Sequence, residues 1–256
     1  MLKIHEEKNI AFISLNRPEI KNAFNPEMIQ QLTGAFIQFS NRPDLRAVVL
    51  SGEGNVFCAG ADLNWMQNMI QYSLEQNKKD SIELFEMFEA IEACAIPVIA
   101  VVQGAAFGGA LGLIAACDYV IAEEKTQMCF SEVKIGLAPA VISAFVLKKC
   151  VGGVLKPLML TGKAFSPKEV LGSGLVHETI ESSHLASSLA KVVRSFEEAS
   201  PQAVREAKKL FKSMDLADWK STRDLTTNLI SRMRLSNEGQ EGLKSFLEKR
   251  SPSWRV

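Results

Sequence analysis

Hydrophobic positions along this chain change period several times, and the changes mark out its elements. Ile10 to Leu15 is a short, nearly continuous apolar run ending at Asn16-Arg17-Pro18, which reads as a strand and then a turn. Asn25-Pro26-Glu27 opens a helix, with Asn25 as its cap and Pro26 at the first helical position. Met28, Leu32, Phe36 and Phe39 continue it at close to helical spacing. Ala47 to Leu50 is a short buried strand, and Ser51 to Asn55 a turn. Phe57 to Leu63 follows as a strand end that turns through small residues, and a polar helical region runs on to about Asn77. Ile82, Phe85, Phe88 and Ile91 form one stripe of a second helix. Pro97 to Val102 is a strand, a glycine-rich stretch leads into a helix ending near Cys117, and Tyr119–Ala122 and Met128–Phe130 are two further short strands.

Strands alternating with helices predict an α/β fold built on βαβ units. From about Pro167 the pattern turns helical, with polar joints at Glu181-Ser182-Ser183 and Ser200-Pro201. Long amphipathic segments at Val204–Met214, Leu225–Leu235 and Gly239–Lys249 close the chain. The division expected is an α/β core over 1–195 and a helical region over 196–256.

Composition narrows the function classes. Of 256 residues, 47% are hydrophobic and 23% charged, and 29 basic residues balance 29 acidic ones. That balance supplies no surplus for nucleic acid and no polybasic contact for a membrane. Cys58, Cys94, Cys117, Cys129 and Cys150 are scattered, with no CxxC pair and no zinc-like spacing, so reduced thiols in a cytoplasmic protein and no metal site are expected. Ile96 to Ala122 is apolar enough to resemble a membrane span, but Gln103 and the glycines interrupt it, so it reads as buried strand, turn and helix. The N-terminus carries charges through its first nine residues and shows no secretory pattern.

The chemistry gathers around "QGAAFGGALGLIAACDY", residues 103–119, where Gly104, Gly108, Gly109 and Gly112 crowd into core-like sequence. Their order is neither G-x-G-x-x-G nor a P-loop. Close packing of helix on sheet is one reading of these glycines. The other is that backbone N–H groups near Gly109 are left free to stabilise negative charge on a ligand oxygen. Phe57-Cys58-Ala59-Gly60-Ala61-Asp62-Leu63 is a second such place, because Ala61 follows a glycine. Two backbone donors meeting on one carbonyl oxygen would stabilise an enolate, although spacing alone does not pair Ala61 with Gly109.

LNRPEIKNAFN (15–25), FCAGADLNWM (57–66), QGAAFGG (103–109) and SEVKIGLAPA (131–140), in this order, resemble the crotonase or enoyl-CoA hydratase/isomerase superfamily. The resemblance continues through LTGKAFSPKEVLGSGLVHETI (160–180) to the C-terminal FLEKRSPSW. It implies a crotonase-type spiral of ββα turns with an α-helical C-terminal region and assembly as a homotrimer or a dimer of trimers. It implies an acyl-CoA substrate, with coenzyme A as part of that substrate and no separate cofactor. The thioester oxygen would lie between the amides of Ala61 and Gly109.

Hydratases of the family use two glutamates. The second corresponds to Glu132, four residues before Gly136, and the first falls at Gly112, three residues after Gly109, so one carboxylate is present and one absent. Phe130, Val133 and Ile135 would give Glu132 a partly apolar pocket and so an adjusted pKa. VVQGAAFGGALGLIAACD with EVKIGLAPAVIS and ADLNWM is similar to bacterial methylglutaconyl-CoA hydratases of leucine degradation, which share the missing glutamate. The space at Gly112 would then admit a branched acyl chain or an ordered water. The resemblance also brings Lys21, Asn22, Ala23, Ala59, Asp62, Leu63 and Trp65 to the substrate or its CoA. Lys21 reads equally as a solvated lysine, Asp62 as a residue bonding its own turn, and Trp65 with Met66 as an apolar helical face. Phe246, Lys249 and Trp254 stand either at subunit contacts or beside CoA, and His5, His177 and His184 carry no expected catalysis. One-glutamate isomerisation, acyl-CoA decarboxylation and CoA or RNA binding without turnover are the alternatives to hydration.

Overall fold

The computed structural model describes residues 1–255. In chain order the elements are β1 (Leu2–Glu7), β2 (Ile10–Leu15), α1 (Pro26–Ser40), β3 (Ala47–Gly52), α2 (Leu63–Met69), α3 (Leu74–Ala93), β4 (Val98–Val102), β5 (Ala105–Phe107) and α4 (Ala110–Ala116). They continue as β6 (Tyr119–Glu123), β7 (Gln127–Cys129), α5 (Ala140–Lys149), α6 (Gly152–Thr161), β8 (Glu178–Ile180), α7 (Leu185–Glu198), α8 (Pro201–Ser213), α9 (Trp219–Leu235) and α10 (Asn237–Leu247).

The main sheet has the order β1-β2-β3-β4-β6-β8, with β1 antiparallel to β2 and every later pair parallel. Interior parallel strands are covered on both faces, which is why β3 and β4 read as unbroken apolar runs. One face packs on α1, α3 and α4 through residues such as Phe36, Leu50, Phe88 and Leu113. The other packs Ile10, Val49, Ile99 and Ile121 against Val192 of α7. Strands β5 and β7 form a separate parallel pair that aligns Phe107 with Cys129. The long apolar stretch thus folds as β4, β5, α4 and β6, and no helix among the described residues is long and apolar enough to cross a membrane.

Several elements depart from the sequence reading. Strand β1 is the exposed edge, where charged residues are tolerated, so its polar sequence concealed it. Helices α5 and α6 carry no clean polar face, and α6 holds Pro157. Strand β8 interrupts the region read as helical after Pro167. Phe57–Leu63 is not a sheet strand but is fixed by two isolated bridges, Cys58 to Ala106 and Phe24 to Ala61. The division drawn at 195/196 falls inside α7. Helix α8 is tied to the core, because the Arg205 guanidinium donates to the carbonyls of Arg42 (3.1 Å), Pro43 (2.6 Å) and Leu45 (3.0 Å).

Candidate active site

Two backbone segments run side by side to make the site. The Phe57 amide donates to Gln103 O (2.9 Å), Cys58 N–H to Ala105 O (3.2 Å) and Phe107 N–H to Cys58 O (3.2 Å), so 57–61 lies along 103–109. On its other flank Phe24 N–H donates to Gly60 O and Asp62 N–H to Phe24 O, both at 2.9 Å. Gly60 sits at φ +93, and a Cβ there would come within 2.7 Å of Phe107 O and 3.8 Å of Gly109 N. Only glycine fits, and its absent side chain lets the two segments meet.

Gly108 N–H is spent on Cys129 O (2.9 Å), and Leu111 and Gly112 N–H on Gly108 O and Gly109 O (both 2.9 Å). The N–H groups of Ala61 and Gly109, by contrast, donate to no acceptor in the chain among the described residues. Ala61 and Gly109 are half-buried, so two amides without a chain acceptor on neighbouring segments are open to a ligand oxygen. They suit one oxygen that gains negative charge.

Pairing of β5 with β7 carries Ser131 and Glu132 to the same end of the small sheet. A single 3-10 turn over Glu132–Ile135, closed by Gly136 at φ +79, presents the carboxylate. A Cβ on Gly108 would lie 3.4 Å from Glu132 Oε1, so this carboxylate sits against the backbone just before the Gly109 amide. Its Oε2 is buried without a hydrogen-bond partner. Burial pushes the Glu132 carboxyl up from its ordinary value, against a smaller pull from its backbone hydrogen bond. Of the residues expected around it, Phe130 is buried and stacked on Phe165 at 5.7 Å, whereas Ile135 is 57% exposed and Val133 packs against Gly162.

The expectation for Gly112 is corrected. A Cβ there would lie 2.5 Å from Phe88 Cζ and 2.9 Å from Ile142 Cγ2, so those side chains already fill the space. Neither an acyl branch nor a water fits without displacing them.

The residues expected around the substrate divide. Lys21 is exposed and its carbonyl accepts from Ala59 N–H (2.9 Å), joining the two loops. Asn22 is fully buried and faces away from any ligand: Oδ1 accepts from Arg17 N–H, while Nδ2 donates to Glu53 O and Val56 O. Ala23 is buried, and its carbonyl accepts from Arg17 Nη1 (2.8 Å). Asp62 also points inward, pairing with Arg17 Nη2 at 2.9 Å and capping α2 through Asn64 N–H at 2.8 Å. Leu63 is exposed. Trp65 is buried, donating from its indole to Asp80 Oδ2 (2.8 Å) and packing on Phe24. His177 Nδ1 accepts from Val120 N–H, and burial pushes its pKa down to about 4, which keeps it neutral.

Sequence reasoning missed Arg17, Phe24 and Phe88. Arg17 lies in the turn at the start of LNRPEIKNAFN, where it carries no role of its own in the sequence reading. Phe24 backs Gly109, where a Cβ would strike its ring at 2.4 Å, and Phe88 lies on a stripe read as plain core.

Two amides with no acceptor among the described residues thus lie on neighbouring segments of an α/β fold, with the Glu132 carboxylate against the backbone just before one of them. The model of the enoyl-CoA hydratase/isomerase family matches residues 5–256, and the chain belongs to that family. A crystal structure of an enoyl-CoA hydratase from Shewanella pealeana shares 36% identity over 99% of this chain and 95% of its own, with TM-score 0.92. AtuE of Pseudomonas aeruginosa superposes with TM-score 0.96 at 27% identity, over 100% of this chain and 99% of its own. A trans-2-decenoyl-[acyl-carrier-protein] isomerase of Streptococcus mutans is 27% identical over 97% of this chain and 95% of its own length.

Proposed function

We propose that this enzyme reversibly hydrates a short enoyl-CoA thioester, with Glu132 as its single acid–base group. The thioester oxygen accepts from Ala61 N–H and Gly109 N–H, which draws charge from the double bond and makes the β-carbon electrophilic. Ionised Glu132 takes a proton from water as the water oxygen bonds to Cβ. The electron pair of the double bond moves to the enolate oxygen between the two amides. Glu132 then returns its proton to Cα, so water adds across the bond and the carboxylate is regenerated. The observation that carries this reading is the Glu132 carboxylate, with Oε1 against Gly108 and Oε2 buried without a partner, next to the unspent Gly109 amide.

The substrate we favour is a glutaconyl-type thioester such as 3-methylglutaconyl-CoA, supported by the likeness of EVKIGLAPAVIS and QGAAFGGALGL to the hydratases of that compound. A second reading is double-bond isomerisation, in which Glu132 removes a proton from Cγ and delivers it to Cα. The closed apolar flank at Gly112 and the isomerase relative favour it. Turnover of crotonyl-CoA and 3-methylglutaconyl-CoA, with product analysis, tests both. A 3-hydroxyacyl product supports hydration, a shifted double bond supports isomerisation, and no turnover of either compound refutes the proposal.

A further inference from the structure

Ser131 stands where the 3-10 turn bearing Glu132 begins, yet its side chain does not cap that turn. A serine in this place ordinarily accepts from an N–H two or three residues on. Here its carbonyl takes that bond instead, from Lys134 N–H at 3.1 Å. The hydroxyl is turned towards Gly108: a Cβ on that glycine would lie 3.4 Å from Ser131 Oγ and equally 3.4 Å from Glu132 Oε1. Because glycine carries no Cβ, a hydroxyl and a carboxylate oxygen border one opening, directly ahead of the Gly109 amide. Gly108 sits at φ +53, a backbone glycine adopts freely, and its own N–H is spent on Cys129 O. Ser131 and Glu132 are both half-buried, so the opening is sheltered without being sealed. The Gly112 flank is closed by Phe88 and Ile142. A water held by Glu132 alone would swing about a single hydrogen bond, and orientation is a large part of a nucleophile's reactivity.

We infer that Ser131 is a catalytic residue of the hydration, its Oγ accepting one O–H of the water whose other proton passes to Glu132. The inference rests on the hydration reading proposed above. As the water oxygen bonds to Cβ, the pair of the double bond moves to the enolate oxygen. The hydrogen facing Ser131 stays where it is and becomes that of the product hydroxyl. Ser131 gains and loses no proton, and transfer at Cα belongs to Glu132 alone.

Ser131→Ala removes the hydroxyl and breaks no capping bond, so the fold is retained. Two reactions then separate its role. Hydration of crotonyl-CoA needs the anchored water, whereas exchange of the Cα hydrogens of butanoyl-CoA with D2O needs only Glu132 and the two amides. In Ser131→Ala, kcat for hydration should fall about 10–100-fold. Butanoyl-CoA affinity by calorimetry and the rate of Cα exchange should both stay within about threefold of the parent, as expected of a contact made only while water attacks. Hydration near the parental rate, or hydration and exchange falling together, overturns the inference and leaves the hydration reading standing. A parent that exchanges the Cα hydrogens but hydrates neither crotonyl-CoA nor 3-methylglutaconyl-CoA overturns the hydration reading, and the role of Ser131 with it.

Discussion

The Glu132 carboxylate lies against Gly108, the residue directly ahead of the Gly109 amide, which no acceptor among the described residues uses. In the proposed mechanism this contact joins the acid–base group to a donor for the enolate oxygen. It follows from strand register, since β5 and β7 align Phe107 with Cys129 and both chains then turn at the same end.

Glu132→Gln keeps the shape of the side chain and removes its proton transfer. Turnover should fall by about 10²–10⁴-fold, the usual contribution of a positioned acid–base group. Acyl-CoA affinity measured by calorimetry should stay within a few fold of the parent. Near-parental turnover would remove Glu132 from the mechanism.

Burial raises the Glu132 pKa, which places a limb in the pH–rate profile. Hydration starts from the ionised form, so kcat/KM should climb with pH through a value above the ordinary ~4.3 of a glutamate. A limb at or below that ordinary value would contradict the apolar setting of this group.

The same shift has a stability consequence of opposite sense. A carboxyl whose pKa is raised by folding holds its proton more tightly folded than unfolded, so stability falls as pH rises through the folded value. Glu132→Gln removes that loss. Its Tm at neutral pH should therefore exceed the parent's. The gain should vanish well below the ordinary glutamate pKa.

Gly60→Ala should disable the site, whereas Gly34→Ala should not. A methyl group at Gly60 meets Phe107 O at 2.7 Å and demands a φ of +93, so it pushes 57–61 away from 103–109. Loss of one aligned donor costs about 10²–10³-fold in kcat. A methyl at Gly34 in α1 meets nothing within 4 Å, and denaturant unfolding should show a gain of about 0.5–1 kcal/mol.

Asp62→Asn preserves a competent cap for α2 but leaves the Arg17 guanidinium without its carboxylate. Denaturant unfolding should show a loss of about 3 kcal/mol, the low end for breaking a buried pair, because Arg17 keeps some solvent contact. Arg17→Met combined with Asp62→Asn should recover part of it, and a fully additive loss would show that the pair is not coupled.

Much of this molecule was legible in its sequence because local rules decide it. Asn25 does cap α1, accepting from Met28 N–H at 3.0 Å, and the stripe of Met28, Leu32, Phe36 and Phe39 is buried as its spacing required. What escaped depends on distant partners. The charged strand β1 exists only because β2 pairs with it, and β5 hides in a glycine run because β7 lies beside it. Ala61, Gly109 and Glu132 could be singled out by motif, but their grouping rests on tertiary register. The Gly112 flank was misread for the same reason, since Phe88 reaches it from α3 and Ile142 from α5.

The most direct measurement is a crystal structure of the Glu132→Gln enzyme with crotonyl-CoA bound. The account predicts the thioester oxygen within about 3 Å of both the Ala61 and Gly109 nitrogens, with the residue 132 side chain facing the Cα–Cβ bond. A thioester oxygen bonded to neither amide, or a residue 132 side chain turned to bulk solvent, would contradict it.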